Sequence, residues 1–160
     1  MKIFFGAILL SIALGIAVDL VTANVAVDYF AVYHPHVVSS TSPWVLALVW
    51  GVGASWWAGA IGGAILAFYN WRLRPRVPSD IVLRWVRNAC AVIWCTMIGI
   101  VGIVYVYGGL EPVTERRESF EYDRRLIAVA ITHGGEYVFA AIAIAIVISL
   151  MRRYSKNLAV

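Results

Sequence analysis

Four long apolar runs, at residues 3–27, 43–69, 89–107 and 126–151, fix what this chain can become. Each is close to or above the length that crosses the hydrocarbon core of a bilayer as a helix. Apolar residues make up 62% of the chain and charged ones only 14%, with a mean hydropathy of +0.82, so lipid must be its solvent. The runs consume most of the 160 residues and leave no room for a second, soluble catalytic domain. The expected fold is an all-α integral membrane four-helix bundle, one domain over 1–160, with helices at about 3–27, 43–69, 80–109 and 125–151.

The first run admits another reading. Lys2 precedes IFFGAILLSIALGIA, and Gly15-Ile16-Ala17 resembles the end of a cleaved leader. The apolar stretch continues into LVTANVAV, longer than a leader needs, which favours a retained helix. Orientation follows from arginine and lysine, which stay on the cytoplasmic side. Arg72, Arg74, Arg76, Arg84 and Arg87 fill the second connection, and Arg152, Arg153 and Lys156 fill the tail. The first connection, 28–42, has neither residue type, so both termini are expected in the cytoplasm. The third connection, 111–125, mixes four arginines with five acids and reads as a short charged helix with pairs such as Glu121 and Arg125. Solvation explains it, with docking to an anionic lipid or a protein as the sharper alternative.

A formal charge of +4 and a pI near 9.3 could suggest nucleic acid, but the basic residues collect beside apolar runs, and no nucleic-acid partner is expected. Cys90 and Cys95 share one run five residues apart, so their side chains diverge and they read as packing residues rather than a redox pair. Ser79 and Asp80 after Pro78 mark the start of the third helix, with Asp80 placed to pair with Arg84. Trp44, Trp71 and Trp85 fall where interfacial aromatics anchor a span.

Small residues recur at every fourth position in three runs: Ala7, Ser11, Gly15 and Ala23 with Asp19 among them; Gly51, Ser55, Gly59, Gly63 and Ala67; and Ala141, Ala145 and Ser149 below His133 and Tyr137. Such stripes let backbones approach where lipid supplies no hydrophobic drive. They predict a tightly packed bundle, or seams that face a second protomer or a larger complex.

Against this background stand the residues that lipid should exclude: Asp19, Asn24, His133 and Glu136, with Thr22, Ser55, Thr132 and Tyr137 nearby. On a rise of about 1.5 Å per residue, Asp19 and His133 lie roughly 13 and 12 Å below the outer ends of their helices, and Glu136 and Ser55 roughly 16 Å. Equal depth predicts a polar cluster in the outer half of the bundle. A divalent metal could be held by His133, Glu136 and Asp19, closed from the loop by His34 and His36. A proton or ion relay could use the same carboxylates. A hydrogen-bonded pair that only fixes helix register is the third possibility. Haem is disfavoured, since only His133 lies clearly within a span. The segment 28–36, with Asp28, Tyr29, His34 and His36, reads as a re-entrant or capping loop, and Pro35 holds His34 extended.

Asp19-Leu20-Val21-Thr22, Asp28-Tyr29-Phe30, His34-Pro35, Trp50-Gly51 and Ala54-Ser55-Trp56-Trp57-Ala58-Gly59 resemble a family of uncharacterised bacterial four-helix membrane proteins patterned D-x-V-T, E-Y-F, H-P and W-G-x-x-A-T-W-W-x-G. Asp28 and Ser55 depart from that pattern, and the likeness covers the first two helices better than the last two. It implies a multi-pass protein of a bacterial inner membrane, marks Asp19, Asp28, Tyr29, His34 and the tryptophan pair, and implies no activity.

No serine nucleophile with a base, no phosphate-cradling glycine loop and no HExxH is present, which argues against a membrane hydrolase or kinase. The leading expectation is a non-enzymatic membrane protein that binds a metal ion, proton or small polar ligand in its outward-facing cluster. The alternatives are an accessory or scaffold subunit of a larger membrane complex, homo-oligomeric or not, and, more weakly, a subunit of an oligomeric transporter.

Overall fold

The computed structural model describes residues 1–35, 37–107 and 117–159, the side chains of 104–107 and 117–124 excepted. It is all-α among these residues: α1 (Lys2–Val25), α2 (Val27–Ala31), α3 (Pro43–Arg72), α4 (Ser79–Tyr107) and α5 (Arg117–Leu158). Four segments are long and apolar enough to cross a membrane, at Lys2–Val25, Pro43–Arg72, Ser79–Ile103 and Arg125–Leu158. The start of α1, the α3–α4 connection and the end of α5 lie together at one end of the bundle, called here the basic end. The short helix α2 sits at the other.

Local chemistry sets the helix ends. Pro43 occupies the first turn of α3, where its missing N–H costs nothing. At the basic end Asn70 clamps the turn to α4 in both directions: its Nδ2 donates to the Val77 carbonyl and its Oδ1 accepts the Val77 N–H, each at 3.0 Å. Ser155 reaches the same turn from α5, donating to the Pro75 carbonyl at 2.7 Å. Asp80 and Arg84, expected to pair, are not among the ion pairs of the described residues; α4 opens instead on the Pro78 carbonyl, which accepts from Ile81 and Val82. Trp44 and Trp71 are exposed at helix ends, whereas Trp85 is half-buried, edge-on to Tyr154.

The closest packing runs along α1 and α3, where two small-residue stripes meet backbone to backbone. A Cβ added at Gly51 would lie 2.6 Å from the N and Cα of Ile16, and one at Gly59 2.7 Å from Ser11 Cβ and 2.8 Å from Ile8 Cα. Ser11 ties the seam with a bond from its hydroxyl to the Ser55 carbonyl at 2.9 Å. Three apolar clusters complete the interior: Ile3, Leu66, Val82, Val147 and Met151 at the basic end, Leu14, Val18, Ile93 and Met97 in the middle, and Ala23, Phe30, Leu46 and Val129 beneath α2.

The third stripe does not pack within the bundle. Ala141, Ala145 and Ser149 are exposed, and α5 turns Thr132, Gly135, Ala140, Ala143 and Val147 inward instead. Here α5 leans on α4, where Met97 packs against Gly135, and meets α3 through Ile144 at Gly62, beside an apolar cavity of about 80 Å³. Cys95 is likewise exposed rather than packed, and Cys90, half-buried, lines that cavity.

Candidate polar site beneath an aromatic cap

The site forms where the end of α1, the fold-back of α2 and the first turns of α5 inside the membrane meet. Ala26 breaks the helix at φ −146° and ψ 84°, and α2 returns across the bundle end, with Tyr29 N–H bonded to the Ala26 carbonyl at 3.2 Å. That reversal carries Tyr29 and Phe30 over the side chains of the last turns of α1. Sequence periodicity predicts α1 continuing to residue 27 and a loop beyond; the short helix is what positions the cap.

Beneath it, His133 Nε2 lies 3.5 Å from Asp19 Oδ1 and 3.4 Å from Thr22 Oγ1. Thr22 directs its own hydroxyl hydrogen at the Val18 carbonyl, 3.2 Å away, and so offers His133 a lone pair. An Nε2–H of His133 therefore faces two acceptors, one of them a carboxylate, and we assign the tautomer on that network. Both distances are at the long end for a hydrogen bond, so the contact is largely electrostatic. Asp19 is 3% exposed and Thr22 fully buried, which removes water as a competitor.

The cap is built of rings. Tyr29 stacks on His133 with centroids 5.2 Å apart and planes within 4°, and Phe30 meets the same imidazole edge-on at 5.6 Å. His34 leans on Tyr29 at 4.7 Å and is met by Trp50 of α3, also at 4.7 Å. Its Nδ1 lies 2.7 Å from the Tyr29 carbonyl, which can only accept, so Nδ1 carries a proton and Nε2 is turned elsewhere. Burial, and after it the Asp19 carboxylate, push the Tyr29 phenol above its ordinary value of 10.0.

The remaining candidates are placed at different distances from this centre. Glu136, one turn along α5 from His133, is half-buried and within electrostatic reach of Asp19. Tyr137 turns toward α3, where its hydroxyl donates to the Ala54 carbonyl at 3.0 Å and its ring stacks on Trp57 at 5.4 Å. Ser55 is spent in the α1–α3 seam opposite Gly15, away from His133. Asn24 is exposed and donates to the Leu20 carbonyl of its own helix at 2.6 Å. Asp28 is half-buried in the first turn of α2. His36, and the expected Glu121–Arg125 pair through Glu121, lie outside the described residues or side chains. Thr132 is buried and donates to the Ala128 carbonyl at 2.8 Å.

The four expected metal donors among the described residues, Asp19, His34, His133 and Glu136, do not come together as a ligand set. Among the described residues no three His, Cys, Asp or Glu side chains form a group that could hold a metal ion. Asp19 and His133 supply two donors, and a zinc-like ion needs at least three from the protein. The pair can instead share and exchange one proton, acid against imidazole, screened from water by the cap. Phe30 and Trp50 are the site residues that depth counting overlooks; the adjacent aromatics after the Ala26 break were the available signal. No protein-family model matches the chain, and no curated protein or solved structure is significantly similar to it.

Proposed function

We propose that this is a non-enzymatic membrane protein that holds an exchangeable proton on the Asp19–His133 pair, beneath the Tyr29 cap, on the outer side of a bacterial inner membrane. The observation that carries the reading is the 3.5 Å approach of His133 Nε2 to an Asp19 carboxylate that is 3% exposed. Ionisable groups inside a span are costly, face the bundle interior and mark proton pathways. Glu136, half-buried and one turn along α5 from His133, is the next carboxylate available to that proton. The basic end, with Arg72, Arg74, Arg76, Arg152 and Arg153, supports the orientation with both termini in the cytoplasm, so the cap faces outward. The likeness to the uncharacterised four-helix bacterial family belongs to the same proposal and adds no activity.

The test is infrared difference spectroscopy of the reconstituted protein during a pH titration, with ¹⁵N-labelled histidine read in parallel. A carboxyl band that titrates in the wild type and disappears in Asp19→Asn, with a linked change at His133, supports the reading. No titrating band across the range in which the protein stays folded sinks it.

A second reading, an accessory subunit of a membrane assembly, is favoured by one observation: the exposed stripe of Ala141, Ala145 and Ser149 on α5. Ala145→Cys in native membranes should then crosslink to itself or to another protein, and a strictly monomeric product counts against it.

A further inference from the structure

At the basic end, away from the capped pair, α1 and α4 run side by side and leave a groove of about 460 Å³ between them. Gly6, Leu9, Leu10 and Leu83 supply its apolar lining, and Asp80, Arg84 and Arg87 of α4 its charged one. Gly6 lets Leu83 of α4 pack directly against α1 at the floor of this wall, since a Cβ there would fall 2.6 Å from Leu83 Cδ2. Leu9 is 68% exposed, so within a bilayer this wall meets acyl chains.

The arginines are the unusual part. They lie roughly 8 and 12 Å along α4 from its first residue, on a segment long and apolar enough to span the membrane. Neither takes part in an ion pair or side-chain hydrogen bond with the described residues, and Asp80 is not paired with Arg84. Exposed guanidinium groups at that level, without a carboxylate partner among the described residues, are available to an anion from outside the protein. The planar fork of each matches phosphate oxygens two at a time, and its stem lies along apolar surface to reach the headgroup layer.

We propose that this groove binds one phospholipid with a negatively charged headgroup, its phosphate held between Arg84 and Arg87 and one acyl chain lying on Leu9, Leu10 and Leu83. Two unpaired cations over an apolar trough that begins at the membrane edge are complementary to such a lipid in both charge and polarity.

The experiment mixes the full-length protein, in a nondenaturing detergent, with equal amounts of phosphatidylglycerol and phosphatidylcholine and counts bound lipid by native mass spectrometry. Wild type should prefer phosphatidylglycerol by about thirtyfold, the effect of two arginines near the headgroup layer. R84Q/R87Q should bring the two lipids near parity. R152Q/R153Q, which removes as much charge from the same end outside the groove, should keep the full preference. L9W, which fills the trough and leaves every charge in place, should lower retention of either lipid. Parity in the wild type, equal loss in the tail variant, or full displacement of the lipid by inorganic phosphate overturns the proposal. Should R84Q/R87Q aggregate, R84K/R87K carries the same test: it keeps the charge without the fork, and an undiminished preference would refute two-point phosphate recognition.

Discussion

Gly51→Ala isolates what holds α1 to α3. The new methyl group would stand 2.6 Å from both the N and the Cα of Ile16, main-chain atoms that no rotamer change can move. Ordinary carbon contacts need about 3.5–4.0 Å, so the two helices must part by roughly 1 Å. Overpacking of this kind costs about 1–3 kcal/mol. In water, part of that would be offset by the better helix propensity of alanine, about 0.8–1 kcal/mol. In a membrane the separated state keeps its helices, because main-chain groups have no water to bond, and the propensity gain cancels. The full cost should therefore appear, and about 2 kcal/mol corresponds to roughly a thirtyfold fall in the folding equilibrium. Gly53→Ala is the matched control, two residues along the same helix with nothing within 4 Å of its Cβ. Folding in mixed micelles titrated with sodium dodecyl sulfate and followed by tryptophan fluorescence measures both variants. If Gly51→Ala and Gly53→Ala agree within about 0.5 kcal/mol, the scatter of ordinary surface changes, the backbone-to-backbone seam is not what holds these helices.

Three further outcomes follow from the same geometry. In a double-mutant cycle of Asp19→Asn and His133→Phe, the second change keeping a ring against Tyr29, the coupling energy should reach about 1 kcal/mol or more, and additive effects would deny that the two side chains interact. Asn70→Leu removes both bonds to Val77, which is 2% exposed, and leaves its N–H and carbonyl buried without partners; we expect a loss of about 2–4 kcal/mol and fast amide exchange at Val77, and unchanged exchange would contradict the clamp. Because the Tyr29 phenol is raised in the folded protein by burial and by Asp19, its contribution to stability is fully present below its ordinary value of 10.0 and is lost as pH rises through the higher folded value. Absorbance titration should show a late tyrosinate component that is absent in Tyr29→Phe and shifted down in Asp19→Asn, and identical curves for all three proteins would dismiss the cap.

The spans were legible in the sequence because length and polarity alone decide them, and the α1–α3 seam because the small residues Gly51, Ser55, Gly59 and Gly63 let α3 approach the main chain of α1. Depth counting also brought Asp19 and His133 to one level, and the structure places them 3.5 Å apart. It failed for Ser55, since depth says nothing about azimuth and Ser55 faces Gly15; Asn24, singled out only as a polar residue in a span, turns back on Leu20. The stripe of Ala141, Ala145 and Ser149 was legible as a seam but not as to its partner: small residues allow close approach without saying to what, and within this chain α5 packs on α4 through other residues. The capping segment was legible as a loop, but its helical form was not. Five residues of α2 carry no usable periodicity, and their position depends on the single backbone break at Ala26.

That the acid and its imidazole come from opposite ends of the chain has a consequence for biosynthesis. Thr22 and His133, which meet in the folded bundle, are 111 residues apart. Emerging from the ribosome, α1 and α3 can close their seam early, while Asp19 waits in the membrane without its partner until α5 arrives. Throughout that interval the nascent protein carries a polar flaw in hydrocarbon, the kind of feature that a membrane protease or insertase can sense. Arrival of His133 both completes the site and erases the mark of an unfinished chain.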